Sequence, residues 1–314
     1  MRIIDAQQVA GVMAFDGLIG ALREAFAGSF GMPQRQLYPL DPQHGHGDAF
    51  AVLPAWNEQL VGVKAFTYYP DNPARGLPTL ASKILLFKRD SGAPLALVDG
   101  TEVTYWRTAA ASALAADYLA RPDTRRLLLC GTGKLAPYMA LAHAQVRGID
   151  EVMIWGRDAE KAKLTLQQIQ ARRPGLRCRL VEDLPAATAE ADIISCATGA
   201  AVPLILGDWV QPGCHVDLVG NHAADRRECD STLVERSRVF VDSRSNVLNE
   251  AGELLIPIAE GRFSVAGVAA ELAELCAGRR AGRQSDNEIT LYKSVGTALA
   301  DLAAAHWVVR QLAE

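Results

Sequence analysis

The stretch that decides the fold is 127–139, LLLCGTGKLAPYM. A short apolar run comes first, two glycines follow, and a helical pattern begins directly after them. Strand, tight turn and helix in that order form the grip by which a chain holds a dinucleotide. In this G-x-G-x-x-A pattern Gly131 permits the tight turn and Gly133 lets the backbone approach a pyrophosphate. Ala136 stands where a third glycine is usual, and it is small enough for helix–strand packing. The helix offers its free N–H groups and positive dipole end to the phosphates, and Pro137 suits a first helical turn. Gly131, Thr132, Gly133, Lys134, Leu135 and Ala136 are therefore the expected phosphate loop.

Outward from this turn the chain alternates. EVMIWG reads as a strand, AEKAKLTLQQIQARRPG as a helix, and DIISCAT, CHVDLVG and RVFVDS as further strands. Such alternation predicts a parallel sheet flanked by helices, a Rossmann-type domain over 119–290. The second strand selects the cofactor. An NAD site usually ends it with a carboxylate on the ribose; here Gly156 and Arg157 occupy that region. An arginine there pairs with a 2′-phosphate, so NADP(H) is favoured, with NAD(H) the alternative. The competing reading makes Arg157 a solvated surface residue and Asp158 the acid or the helix cap.

Residues 1–118 mix helix and strand signals and predict an α+β domain. DAQQVAGVMAFDGLIGALREAFAG has helical spacing, capped by Asp5 and stopped by Gly28. AFAVLPAW, LVGVKAFTYYP and ASKILLFKRD read as strands, with DSGAP as a turn, and a long helix starts near Thr101. The last stretch, 291–314, reads as one amphipathic helix returning to the first domain.

Bulk properties exclude several classes. The net charge of −4 carries no long run of one sign, which disfavours nucleic acid and anionic membranes as partners. No apolar run approaches the length of a membrane span, and the N-terminal residues lack a signal-peptide core, so a cytoplasmic location is expected. The six cysteines form no C-x-x-C pair and read as small buried hydrophobes. HGHGD at 44–48 lacks a spaced partner motif and reads as a polar loop, so no metal is expected.

Three basic residues stand out in the first domain. Lys64 sits inside an apolar strand pattern, where a charge is costly unless its head reaches a cleft or partner. Arg107 lies on a helix face of small residues, and Arg35 precedes the first long strand. Each alone has a bland explanation. Beside a hydride cofactor they suggest a pocket for a small carboxylate, which arginine grips bidentately.

The run LPTLASKILLFKRDSGAPLALVDGTEVTYWRTAAASALAADYLA, then LLLCGTGKLAPYMALAHAQ, DLVGNHAADRRECD and YKSVGTALADLAA, resembles the ornithine cyclodeaminase and mu-crystallin family over nearly the whole chain. The resemblance implies a homodimer joined through the first domain and a site between the two domains. It implies that Arg35, Lys64 and Arg107 bind a substrate carboxylate. It further implies that Ala197 and Thr198 line the cofactor and that Ser294, Val295 and Gly296 lie beside the nicotinamide. The family includes cyclodeaminases, an alanine dehydrogenase branch and reductases of cyclic ketimines. Where cyclodeaminases carry an aspartate this chain has His222, with Asp225 three residues on, and Ala224 replaces a proline of the reductase branch. The expectation is reduction of a cyclic imino acid, Δ1-pyrroline-2-carboxylate or Δ1-piperideine-2-carboxylate, with the proton arriving with the substrate or coming from Lys64 or His222. Ornithine cyclodeamination, reductive amination of a keto acid, and ligand storage by a non-catalytic NADPH-binding protein are the alternatives.

Overall fold

In the computed structural model, residues 1–40 and 47–313 are described. His44 and His46 of the HGHGD loop lie outside them; among the described residues no group of three His, Cys, Asp or Glu side chains is placed to hold a metal. No helix among them is long and apolar enough to cross a membrane. The chain divides into two compact units, residues 1–107 with 297–314, and residues 108–296.

The first unit opens with β1 (Arg2–Ile4), α1 (Ala6–Val12) and α2 (Phe15–Ala27). The single helix expected over 5–28 is thus two. Asp5 caps α1 in a reciprocal pair with Gln8, but Ala14 is extended and interrupts the pattern. The break lets Val9 be buried on one helix and Leu18, Ile19 and Leu22 on the other, while Phe15 packs on Trp106 with ring centroids 4.6 Å apart. Then come β2 (Phe30–Gly31), β3 (Gln36–Pro39), β4 (Ala49–Asn57), β5 (Leu60–Tyr68), β6 (Leu80–Lys88) and β7 (Pro94–Asp99). They form a seven-stranded sheet in the order β1-β7-β6-β5-β4-β2, with β3 also on β4. Burial alternates along β4 and the first half of β5, so one face is covered. Lys64 falls on the covered face of β5, in register with Leu60 and Gly62. The helix α3 (Gly100–Leu119) follows, and the division between the units falls within it.

The second unit is the Rossmann-type sheet. Its elements run β8 (Arg126–Cys130), α4 (Ala136–Val146), β9 (Glu151–Trp155), α5 (Ala159–Arg172), β10 (Arg177–Leu180), α6 (Leu184–Glu190), β11 (Ile193–Cys196) and β12 (His215–Leu218). They continue through α7 (Ser231–Arg236), β13 (Ser237–Val241), α8 (Arg244–Glu250), α9 (Gly252–Ala259), β14 (Val268–Glu271), α10 (Leu272–Cys276) and β15 (Ile289–Lys293). The strand order is β10-β9-β8-β11-β12-β15-β13-β14, and every pair is parallel. β8 and β11 are neighbours in space but not in sequence, so the winding reverses there. A crevice outside the carboxyl ends of strands at such a reversal is where ligands bind.

The helix expected over 291–314 is corrected. Ile289–Lys293 is a fully buried strand lying between β12 and β13, and α11 (Ala298–Gln311) begins only after Thr297 caps it. Gly296, with φ of 86°, makes the turn between them. α11 returns to the first unit and packs on α2, β4, β5 and β6. Its closeness to the sheet depends on Gly62, where a Cβ would lie 2.6 Å from Leu302 Cδ1.

Candidate active site

In the first unit the close approach of α11 to β5 sets Asp301 between two cations. Lys64 Nζ is 3.1 Å from Asp301 Oδ1, and Arg107 Nε donates to the same oxygen at 2.9 Å. Lys64 also donates to Thr104 Oγ1 at 2.6 Å, and Thr104 is held in turn by the Gly100 carbonyl at 2.5 Å. All three charged side chains are buried. Burial pushes the Lys64 ammonium down to about 8; Asp301 opposes that shift, while Arg107 and Arg35 reinforce it. Arg35 is half-buried.

The pocket is not balanced. Lys64 and Arg107 carry two positive charges against the one of Asp301. Neither terminal Nη of Arg107, nor the third N–H of Lys64, has a partner among the described residues. Open donors beside an excess of positive charge invite an anion with two oxygens.

The second unit holds the expected cofactor residues at the carboxyl ends of adjacent strands. Gly131 has φ of 120°, and a Cβ there would lie 2.6 Å from the Ala197 carbonyl oxygen, so the turn requires glycine. A Cβ on Gly133 would meet no protein atom within 4 Å. The fold does not need that glycine, which fits a backbone kept bare for a ligand. α4 starts without a side-chain cap; the Ala136 N–H goes to the Gly133 carbonyl at 3.0 Å and Pro137 has none, so an anion here would meet the turn before the helix, and Ala136 is fully buried. Thr132 and Leu135 are half-buried and Lys134 is exposed. At the end of β9, Gly156 accepts the close approach of Thr132 Cγ2, which would lie 2.5 Å from a Cβ. Arg157 is exposed and makes no hydrogen bond or ion pair with the described residues. Asp158 caps α5 by accepting from the N–H groups of Glu160 and Lys161, so its carboxylate is already engaged. These residues suit a nicotinamide dinucleotide.

Two further loops are held from below by residues the sequence reading passed over. Glu228 accepts from Thr198 N and Oγ1, both at 2.7 Å, and from Gly220 N at 2.8 Å, tying the loop after β11 to the loop after β12. Behind it Glu253 accepts from Glu228 N and faces Lys293 Nζ at 3.0 Å, and Lys293 donates to the Asn221 carbonyl at 2.7 Å. Burial pushes Glu228 up to about 7, with Glu253 adding to the shift and Lys293 opposing it. Asp242 accepts from Ser294 Oγ and from the N–H groups of Val295 and Gly296, which fixes that segment. His222 and Asp225 are exposed in this unit. Ser195, Asp217 and His143 also meet, but Ser195 donates to Asp217 rather than to the histidine, and all three are fully buried. That order cannot activate a serine nucleophile.

Two of the missed residues had a signal, a lone charge in an otherwise apolar run: TALADLAAA for Asp301 and ITLYKSVG for Lys293.

Each unit thus carries one feature expected of a dinucleotide-dependent oxidoreductase: a glycine turn at the end of β8 in one, a buried pair of cations on one carboxylate in the other. The chain belongs to the ornithine cyclodeaminase/mu-crystallin family, whose model matches residues 3–314. It is 53% identical over 316 residues to a Δ1-pyrroline-2-carboxylate reductase of Colwellia psychrerythraea, covering all of both chains. Among solved structures it is similar to a Δ1-pyrroline-2-carboxylate reductase of Thermococcus litoralis in complex with NADH and L-proline. There the TM-score is 0.94 at 33% identity, over 100% of this chain and 98% of that one. An iminosuccinate reductase of Paracoccus denitrificans in complex with NAD+ has a TM-score of 0.91 at 28% identity, over 100% and 96%.

Proposed function

We propose that the protein reduces Δ1-pyrroline-2-carboxylate to L-proline, and the six-membered homologue to L-pipecolate, with a reduced nicotinamide dinucleotide. One observation carries this reading: Arg107 and Lys64 share a single carboxylate oxygen and keep unused donors in a buried pocket with excess positive charge. A substrate carboxylate on the Nη groups of Arg107 and the free N–H of Lys64 would restore the balance, with Arg35 as the third cation. The reductases of Colwellia and Thermococcus support the choice of ring.

The cofactor, when bound, supplies hydride to the imine carbon. The chain's part is to orient the imino acid and keep its nitrogen protonated. Holding the ring by its carboxylate removes much of the entropic barrier. An iminium accepts hydride far more readily than a neutral imine, and a lysine that titrates near pH 8 still holds a proton at neutral pH. His222, or a substrate that arrives already protonated, is the alternative source. Gly131 to Ala136, Gly156, Arg157, Ala197, Thr198 and Ser294 to Gly296 would hold the cofactor. Both NADH and NADPH serve in this reading, with NADPH preferred because Arg157 is exposed without a partner and Asp158 is committed to its helix cap. We further propose a cytoplasmic homodimer through the first unit, where Leu37, Tyr38 and Leu77 are exposed apolar side chains.

The test is the loss of NADPH and NADH absorbance on adding Δ1-pyrroline-2-carboxylate, with L-proline assayed as product. Turnover with both, faster with NADPH, is expected. No loss with either, together with ammonia release from L-ornithine, would replace this reading with cyclodeamination.

A further inference from the structure

Asp301 is the one charged residue of the pocket that cannot bind a substrate carboxylate, because it would repel it. It is 1% exposed, and its Oδ2 has no hydrogen-bond partner among the described residues. A buried carboxylate at the point where an anion must enter is unfavourable unless it does something for the cations. Its Oδ1 takes Arg107 by Nε, the donor on the side of the guanidinium, and so leaves both Nη groups available. The same oxygen takes one N–H of Lys64 while Thr104 takes another, leaving a single direction for the third.

We propose that Asp301 is a positioning residue of the imino-acid site: through one oxygen it fixes the open donor edges of Arg107 and Lys64 and serves as their shared counter-ion. The inference rests on reading this pocket as the imino-acid site. The charged groups that act on Lys64 come from three elements: Asp301 on α11, Arg107 on α3 and Arg35 from the segment before β3. Of these only Asp301 favours the ammonium. Removing it leaves burial and two arginines, all of which favour the neutral amine. The sign follows: without Asp301 the Lys64 proton is lost at lower pH, and so is any activity that needs it.

The experiment uses D301N, which keeps the shape and removes the charge. Lys64 is followed by NMR titration of isotope-labelled lysine in the full chain, its signal assigned with K64R, and kcat and KM are measured across pH. The Lys64 midpoint is expected to fall from near 8 by about one unit or more. The alkaline limb of kcat should move with it, giving about a fivefold loss or more at pH 8. KM for the imino acid should move less than kcat, because the lost anchor on Arg107 and the gained positive charge act in opposite directions. An unchanged midpoint, or a pH profile that superimposes on wild type, overturns the proposal. If D301N does not fold, D301E carries the test: it keeps the charge but moves the oxygen, so the KM of the imino acid should rise about tenfold, and wild-type kcat and KM would overturn the positioning role. The lysine titration does not depend on turnover. A wild-type enzyme inactive on the imine would fail the assigned reaction, whereas a fixed Lys64 midpoint would fail Asp301.

Discussion

Among the described residues two lysines are buried beside carboxylates, one in each unit, and their surroundings are opposite in kind. Lys293 meets Glu253 and the Asn221 carbonyl, in a cluster with Glu228 whose acceptors are spent on the backbone of two loops. Lys64 meets Asp301 and Thr104 beside a second cation, and donors are left over. In the first cluster two carboxylates meet one lysine, burial pushes Glu228 up toward neutrality, and the bonds go to loop backbone; in the second two cations meet one carboxylate and donors are left over. A buried charge therefore does not mark a binding site until donors and charges are counted against the acceptors around them.

The comparison breaks first at Arg107. R107A should lower kcat/KM for the imino acid about a thousandfold, roughly the 4 kcal/mol of a buried charge pair losing one partner. A loss of only a few fold in steady-state kinetics would mean that its unused donors do not meet the substrate. The lysines themselves should separate stability from activity. K293M leaves Glu253 buried without its cation and should cost about 3 kcal/mol in denaturant unfolding. K64M leaves Asp301 paired with Arg107; its stability should change by under about 1 kcal/mol while turnover falls about a hundredfold or more. If K64M destabilises as much as K293M, the two clusters are alike after all.

The pH dependence of stability sharpens the contrast. Glu228 titrates at about 7 in the fold against an ordinary value of 4.5. Between those values the folded chain keeps a proton that the unfolded chain has released. Its contribution is thus present at low pH and is lost as pH rises from 4.5 through 7. E228Q should flatten that part of a Tm against pH curve; an unchanged slope would place the proton elsewhere. The smallest expected effect is at Arg157. R157A should raise the KM for NADPH about tenfold, the scale of one charge-assisted hydrogen bond, and leave that for NADH unchanged. Equal effects on both cofactors would remove the 2′-phosphate role.

The sheet of the second unit was legible because its strands are short apolar runs set between glycine turns, a pattern that local spacing reports directly. Ile289–Lys293 was not, because its apolar residues run on into those of α11 and period alone does not divide them. The break after α1 escaped for the same reason: helical spacing continues across Ala14, and packing rather than propensity interrupts it. In the pocket, Lys64 and Arg107 were visible as charges in apolar surroundings. Asp301 carries the same local mark, but what gives it meaning lies 237 and 194 residues away. Glu228 and Glu253 escaped likewise, being known by the backbone N–H groups they accept from.

The first unit is made of two pieces of chain, and this sets an order of events during synthesis. Its sheet strands and α3 leave the ribosome early, whereas α11, which covers β4, β5 and β6, leaves only after the whole of 108–296. Domains tend to fold as they emerge. The second unit can therefore be complete while the first still shows the apolar face that Leu302 will cover. Lys64 and Arg107 meanwhile wait as two like charges with no counter-ion. The pocket is then the last part of the first unit to be finished, and a chain arrested before Asp301 lacks the one carboxylate that Lys64 and Arg107 share.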